Sequence, residues 1–297
     1  MDRVPFVFVD VFSDRPLEGN PLAVVPDADS LDEETMRRIA REFNQSETTF
    51  LLISKEAGAD WHLRSFTPAG HEVTGAGHNA LGAWWWLAVA GRLKLREGKN
   101  QFRQRIASHV LPVEVISQDG AVQSIVMQHA APRFGTRVSD AALLADTVGL
   151  NAAEMLPEGR TAQVVSTGAA HLLIPVRDRS AIERADPDPA KLLAILRASG
   201  GEGAYFFCRD VVHRGSAAHA RFFNPTVGIV EDAATGTAAG PLAAWLVKEG
   251  LVQDRSVRIE QGFTMGRPSL IQIDVNGDAV SISGRGCVSA EGMLRIS

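Results

Sequence analysis

Cysteine is scarce in this chain. Its 297 residues hold two, Cys208 and Cys287, without the close pairing that a zinc or redox motif needs. Two lone cysteines are not expected to form a disulfide in a reducing compartment, and Cys208, inside Tyr-Phe-Phe-Cys, reads as a small core residue. An excess of one charge is also missing. The net charge is −5 with no long run of Lys or Arg, which argues against a nucleic-acid or membrane-surface protein, since both call for a basic face. Long apolar runs are absent as well. The most apolar window, Ala80 to Ala90, is closed by Gly91-Arg92 and falls short of the ~20 residues that span a bilayer. The opening Met-Asp-Arg-Val-Pro-Phe lacks a charged segment followed by an apolar stretch and a cleavage site, so the expectation is a cytoplasmic chain without a signal peptide. Neither a low-complexity segment nor a flexible linker stands out.

What is present is ordinary globular composition, 45% hydrophobic and 22% charged, in a chain long enough for two domains with real cores. The stretch Glu231 to Leu246 joins two carboxylates, Glu231 and Asp232, to a turn of small residues and an apolar helix. The first N–H groups of a helix have no partner inside it, so such a turn reads as a site for a small anion. Pro241 is expected within that helix's first turn, where no N–H is needed.

An earlier segment repeats the pattern. Arg64-Ser-Phe66-Thr-Pro68 matches Arg221-Phe-Phe223-Asn-Pro225, and Glu72, Gly77, Trp86-Leu87 and Gly91 match Glu231, Gly236, Trp245-Leu246 and Gly250. A two-residue difference in spacing between the Pro and the Glu is the only indel. This implies a duplicated unit whose two helix starts could face one ligand.

In chain order, Pro5–Phe12 and Leu22–Val25 read as strands around the turn Gly19-Asn20-Pro21. Ser30 with Glu33 has capping-box spacing and opens an amphipathic helix to about Phe43. Glu47 stands at the entry to the strand Thr48–Ile53, and Trp61–Thr67 follows. Gln101–Ile116 and Ala121–Gln128 read as strands about a hairpin at Gln118-Asp-Gly120. In the second half, Ser139 is expected to cap a helix to Leu150, with another helix over Pro189–Ala198. Strands are expected at Gln163–Ser166, His171–Val176, Ala204–Cys208, Val257–Gln261, Leu270–Val275 and Ala279–Ser283, and near Met293. Each half is then mostly strands plus one helix apolar on every face, and a strand-rich lobe buries such a helix by wrapping a sheet around it. Domain interfaces are favoured ligand sites, which makes the cleft between two such lobes the expected active site.

Three motifs can be read together: Ser46-Glu47-Thr-Thr-Phe50, Gly75-Ala76-Gly77-His78 and Glu231-Asp232-Ala-Ala-Thr-Gly236-Thr237-Ala-Ala-Gly240-Pro241. They resemble the signatures of the PhzF-like isomerase family. Val9-Asp10-Val11-Phe12 and Gly19-Asn20-Pro21 fit too, so the resemblance covers nearly the whole chain.

The resemblance implies an α+β, diaminopimelate epimerase-like fold: two pseudo-symmetric lobes, each a curled, mostly antiparallel sheet around a central apolar helix, usually in a homodimer. The lobes would be residues 1–128 and 129–297, with the last strand crossing back to the first lobe. It also implies proton transfer on a small carboxylate-bearing substrate without cofactor or metal, as in isomerisation of trans-2,3-dihydro-3-hydroxyanthranilate. Carried over, Glu47 takes a proton from one carbon and returns it to another, while His78 and Asp232 polarise and orient the substrate. Gly77, Gly236 and Thr237 present N–H groups to its carboxylate, and Ser46 and Asn20 complete the binding set. Asn20 reads equally well as a turn-capping residue. Two positions depart from the pattern: Thr237 stands where Ser is frequent, and Asn79 where Pro or Ala is.

Other readings remain open. Racemases of this fold use a cysteine before each helix-start glycine, and those places hold Ala76 and Thr235, which disfavours a thiol route. Glu47, His78 and Asp232 could hold a divalent ion, although no His-x-x-x-His or Cys-x-x-Cys spacing supports it. A binding protein without turnover is the third possibility.

Overall fold

The computed structural model describes residues 3–55 and 57–296. The chain divides into two compact units. One runs from the start of the chain to Gln128 and takes in the segment from Ser283 onward, and the other is His129–Ile282.

The first unit is built from β1 (Arg3–Val11), β2 (Asn20–Val25), α1 (Glu33–Phe43), β3 (Thr48–Ile53), β4 (Trp61–Phe66), β5 (Glu72–Val73), α2 (His78–Val89), β6 (Gly98–Ile106), β7 (His109–Gln118) and β8 (Ala121–His129). β1 pairs antiparallel with β2, β2 parallel with β3, and β3 antiparallel with β4. β4 then pairs antiparallel with the short β5 and parallel with β6, and β6, β7 and β8 continue antiparallel.

The second unit contains β9 (Arg133–Val138), α3 (Ala141–Val148), β10 (Ala162–Ser166), β11 (Ala170–Pro175), α4 (Arg179–Arg184), α5 (Pro189–Ser199), β12 (Gly203–Cys208), β13 (Ala218–Asn224), β14 (Ile229–Asp232), α6 (Gly236–Lys248), β15 (Ser256–Gln261), β16 (Ser269–Asn276) and β17 (Ala279–Gly284). Its strands repeat the same series. β10 is antiparallel to β11, β11 parallel to β12, β12 antiparallel to β13, β13 antiparallel to β14 and parallel to β15, and β15 antiparallel to β16. One more strand flanks each series. β9 lies antiparallel to β10, and the last strand, β18 (Gly286–Arg295), lies antiparallel to β1, with Arg3 opposite Arg295.

Each sheet holds the apolar helix its sequence demanded. In α2 all of the 12 residues are buried except Trp86 and Val89. The Trp84 indole, fully buried, donates to Gln104 Oε1 at 2.8 Å, which meets the hydrogen bond its N–H needs. Gly82 lets the helix approach β1 and β2 closely, because a Cβ there would stand 2.6 Å from Val11 Cγ2 and 2.7 Å from Leu22 Cδ2. α6 is buried in the same manner, with Trp245 edge-on to Phe207 of β12. The remaining helices lie on the sheets. α1 packs Met36, Ile39 and Ala40 against Phe50 and Phe66, while α3, α4 and α5 cover β10 to β12 through Leu144, Ile182, Leu192 and Leu196.

The aligned Arg and Glu of the two copies form the same ion pair in each. Arg64 Nε and Nη2 reach Glu72 Oε1 and Oε2 at 2.7 and 2.8 Å. Arg221 Nε and Nη2 reach Glu231 Oε1 and Oε2 at 2.8 Å each. Both guanidiniums also lie about 5 Å from the ring of the following Phe, Phe66 or Phe223. Each pair pins the short strand before the helix to the strand that precedes it.

Some local expectations need correcting. Asp32, not Ser30, caps α1 by accepting from Thr35 N at 2.8 Å, and Asp140, not Ser139, caps α3 by accepting from Leu143 N at 2.9 Å. Asp and Ser are near-equal caps, so neighbouring candidates are hard to rank. Gln101–Ile116 is not one strand: it turns at Ala107-Ser108 between β6 and β7, with Ala107 at φ 51°. No Gly, Asn or Pro marks that turn, and the sequence hides it.

The two ion pairs should differ in weight. Arg221 is the more buried and also donates through Nη1 to the carbonyls of Ile182 and Ala185, at 2.8 and 2.7 Å. Arg64 instead shares its Nη2 with the half-exposed Glu33. Arg221→Ala, which removes the guanidinium from a largely buried Glu231 and from two carbonyls, should cost about 3–5 kcal/mol, and Arg64→Ala clearly less. Urea unfolding of the two variants checks the order; equal losses would contradict it.

Candidate active site

In the first unit the site residues gather at the mouth of α2. α1 ends at Phe43 with Asn44 in the left-handed conformation, and the loop after it delivers Ser46 and Glu47 directly before β3. Gly77 is the N-cap of α2 and His78 its first residue. The His78 ring is buried, with a polar side chain beside each nitrogen. Nε2 lies 3.3 Å from Ser46 Oγ, and Nδ1 lies 3.7 Å from Glu47 Oε2. The second distance is a charge contact longer than a hydrogen bond. Glu47 is largely shielded, its side chain 17% exposed. The arrangement sets a carboxylate, an imidazole and a hydroxyl side by side at a helix N-terminus, a grouping suited to moving protons.

Gly77 departs from its expected role, since its N–H donates to Asn79 Oδ1 at 2.7 Å. The first-turn amides without an acceptor inside the helix are those of His78, Asn79 and Ala80. Asn20 is buried at the first position of β2, opposite Val11. Asp10 of β1 accepts from Leu17 N at 2.7 Å and so shapes the loop before β2.

In the second unit Asp232 ends β14 and α6 starts at Gly236. Asp232 accepts through Oδ2 from the Thr235 hydroxyl. Gln261, buried at the end of β15, staples this turn: Nε2 donates to Asp232 O at 2.7 Å and to Thr235 Oγ1 at 3.1 Å, while Oε1 accepts from Thr235 N at 3.0 Å and Tyr205 Oη at 2.8 Å. Burial, and after it the Asp232 charge, pushes the Tyr205 phenol well above its usual range. The Thr237 hydroxyl lies 3.3 Å from His171 Nε2.

Glu231, expected beside Asp232 in an anion site, is instead held by Arg221 and by the Thr264 hydroxyl at 2.9 Å. Pro241 lies past the first turn, since the helix begins at Gly236. Its missing N–H therefore leaves the Thr237 carbonyl without the donor a helix would supply.

Sequence reasoning missed Gln261, Tyr205, His171 and His129. His129 Nδ1 lies 3.1 Å from Thr167 Oγ1, and the ring abuts Gly240, where a Cβ would come within 2.6 Å of Nδ1. Only the unusual placement of polar residues in apolar strands marked them, because their partners lie far along the chain, 66 residues in the case of His171 and Thr237. Among the described residues no three His, Cys, Asp or Glu side chains cluster as metal ligands would. No helix of the described residues is long and apolar enough to cross a membrane.

Comparisons with known proteins identify the family and the fold. Residues 9–292 match the model of the family described as phenazine biosynthesis-like protein. The trans-2,3-dihydro-3-hydroxyanthranilate isomerase of Pseudomonas aeruginosa is 34% identical over 297 residues, covering 97% of this chain and 98% of that one. The crystal structure of a PhzF-family phenazine biosynthesis protein from Bacillus anthracis superposes with a TM-score of 0.88 at 25% identity, covering 100% of both chains. A hydroxyproline epimerase from Agrobacterium vitis shares the fold, with a TM-score of 0.65 at 14% identity over 98% of this chain and 92% of that one. Fold and relatives thus define an isomerase with the diaminopimelate epimerase-like fold. Within that class the chain belongs to the PhzF-like isomerase family.

Burial lowers the pKa of both His171 and His129 from 6.5 to about 4. Both are therefore neutral in the folded protein at neutral pH, whereas the unfolded chain protonates them near 6.5. The stability they contribute is fully present above about pH 6.5 and is lost as pH falls toward about 4. Urea midpoints should drop between pH 7 and pH 4.5, and drop less in His171→Asn and His129→Asn. An equal drop in both variants would show that these rings do not carry the effect.

Proposed function

We propose that this protein moves a proton between carbons of a small carboxylate-bearing substrate, with trans-2,3-dihydro-3-hydroxyanthranilate as the first candidate. The observation that carries the reading is the cluster of Glu47, His78 and Ser46 at the mouth of α2. Glu47 takes a proton as a ring C–H bond breaks, the electron pair shifts the double bond, and the same carboxyl returns the proton to a second carbon. The product is an enol that relaxes to the ketone. His78, held between Ser46 and Glu47, orients and polarises the substrate. In the second unit, Asp232, Gly236 and Thr237 stand at the mouth of α6, where the family resemblance assigns a further acid and donors for a carboxylate. The step written this way balances without cofactor or metal.

The Pseudomonas relative that bears this reaction in its name matches along its whole length, which supports the candidate substrate. The thiol route of related racemases has no support, because Ala76 and Thr235 stand where the cysteines would be.

Glu47→Gln keeps the shape of the side chain and removes the base. It should lower kcat on trans-2,3-dihydro-3-hydroxyanthranilate by roughly 10²–10⁴, the span typical of a lost general base. KM and melting temperature should stay nearly unchanged. A rate equal to wild type would sink Glu47 as the base, and binding without turnover in the wild type would point to another carboxylate as the substrate.

A further inference from the structure

Asn79 is the second residue of α2 and is 1% exposed. Its partners settle the orientation of its amide. Oδ1 lies 2.7 Å from Gly77 N, which can only donate, and Nδ2 lies 3.1 Å from Gly75 O, which can only accept. Nδ2 also donates to Ser65 Oγ at 3.1 Å, and Ser65 Oγ lies 2.9 Å from Thr49 Oγ1. Thr49 and Ser65 face each other across β3 and β4. One side chain thus ties the Gly75–Gly77 turn to the helix it opens and to two strands of the sheet.

That turn has little else to hold it. It consists of Gly, Ala and Gly, and nothing lies within 4 Å of where a Gly75 side chain would be. Such a backbone has much conformational freedom to lose and few contacts to offset the loss. His78 sits between the two residues that Asn79 links, its neighbour Gly77 and Asn79 itself. The second unit holds its corresponding turn differently. Ala238 occupies the aligned position, and Gln261 does the stapling from β15, where the first unit has Ile106 at the matching register. The fold therefore does not require an amide at position 79.

We propose that Asn79 is a positioning residue for the reaction: by closing the Gly75–Gly77 turn it holds the His78 ring against Glu47 and Ser46. It also engages the Gly77 amide, which a ligand would otherwise meet. This inference rests on the reading of Glu47 and His78 as acting residues.

The test uses the full-length protein with ¹³Cε1-labelled histidine, in which eight histidines give a tractable spectrum. In the wild type, Glu47→Gln should shift the His78 Cε1–H resonance, since the two groups are in contact. In Asn79→Ala that response should fall to half or less. The Gly77 amide should exchange at least ten-fold faster, while amides inside α2 such as those of Trp84 and Leu87 keep their protection. Asn79→Asp retains the acceptor for Gly77 and nearly the same volume, so it stays informative if the alanine variant does not fold. It sets a carboxylate against the Gly75 carbonyl, and the His78 response should again be halved, this time with the Gly77 amide still protected. A wild-type response in either folded variant overturns the proposal. No substrate is needed for these readouts: a protein that shows them but neither binds nor converts small carboxylates, the candidate substrate included, would overturn the functional reading alone.

Discussion

A helix that is apolar on every side cannot lie on a protein surface, and much of this structure follows from that constraint. α2 and α6 each need apolar cover all round, which a sheet curling around them supplies. Fully burying side chains such as Leu81, Trp84 and Leu87 contributes about 1.5–3 kcal/mol each relative to exposure. The helix ends cannot be buried in the same way. Their first N–H groups need polar partners, so the mouth of each helix is where short polar side chains and small residues collect. A core built around such a helix thus produces a polar site at its end.

The two units show how one skeleton can carry two differently lined helix mouths. The Arg–Glu pair, the order of strands and the central helix recur, yet the helix mouths differ. In the first, Asn79 ties the turn from within the helix and His78 stands at its start. In the second, Gln261 ties it from the neighbouring strand, and Thr237, backed by the buried His171, takes the place of His78. The shared parts hold the backbone, and the parts that differ decide which polar side chains stand at each helix mouth.

Much of this was legible in the sequence because it rests on local or repeated signals. The apolar helices followed from composition alone, and β3 began and ended where its run of Thr, Phe, Leu and Ile did. The aligned Arg64–Glu72 and Arg221–Glu231 turned out to be bonded pairs, which a one-dimensional alignment cannot show but does anticipate. Ser46, Glu47 and His78 came together as the motifs suggested. What stayed hidden depended on distant partners. Nothing near Gln261 in the chain announces Thr235 or Tyr205, and the sequence alone does not separate the roles of the adjacent Glu231 and Asp232, of which Glu231 pairs with a guanidinium. Asn79 read as a local oddity because its role lies in the bonds it makes to Ser65 and Gly75.

The central claim is that this protein moves a proton on carbon through a carboxylate that can exchange it with water. Proton NMR of trans-2,3-dihydro-3-hydroxyanthranilate with the purified protein in D2O tests that most directly. The substrate signals should be lost and deuterium should appear at the carbon that receives the proton, and neither should happen when Glu47 is replaced by Gln. Conversion that continues unchanged in that variant would contradict it.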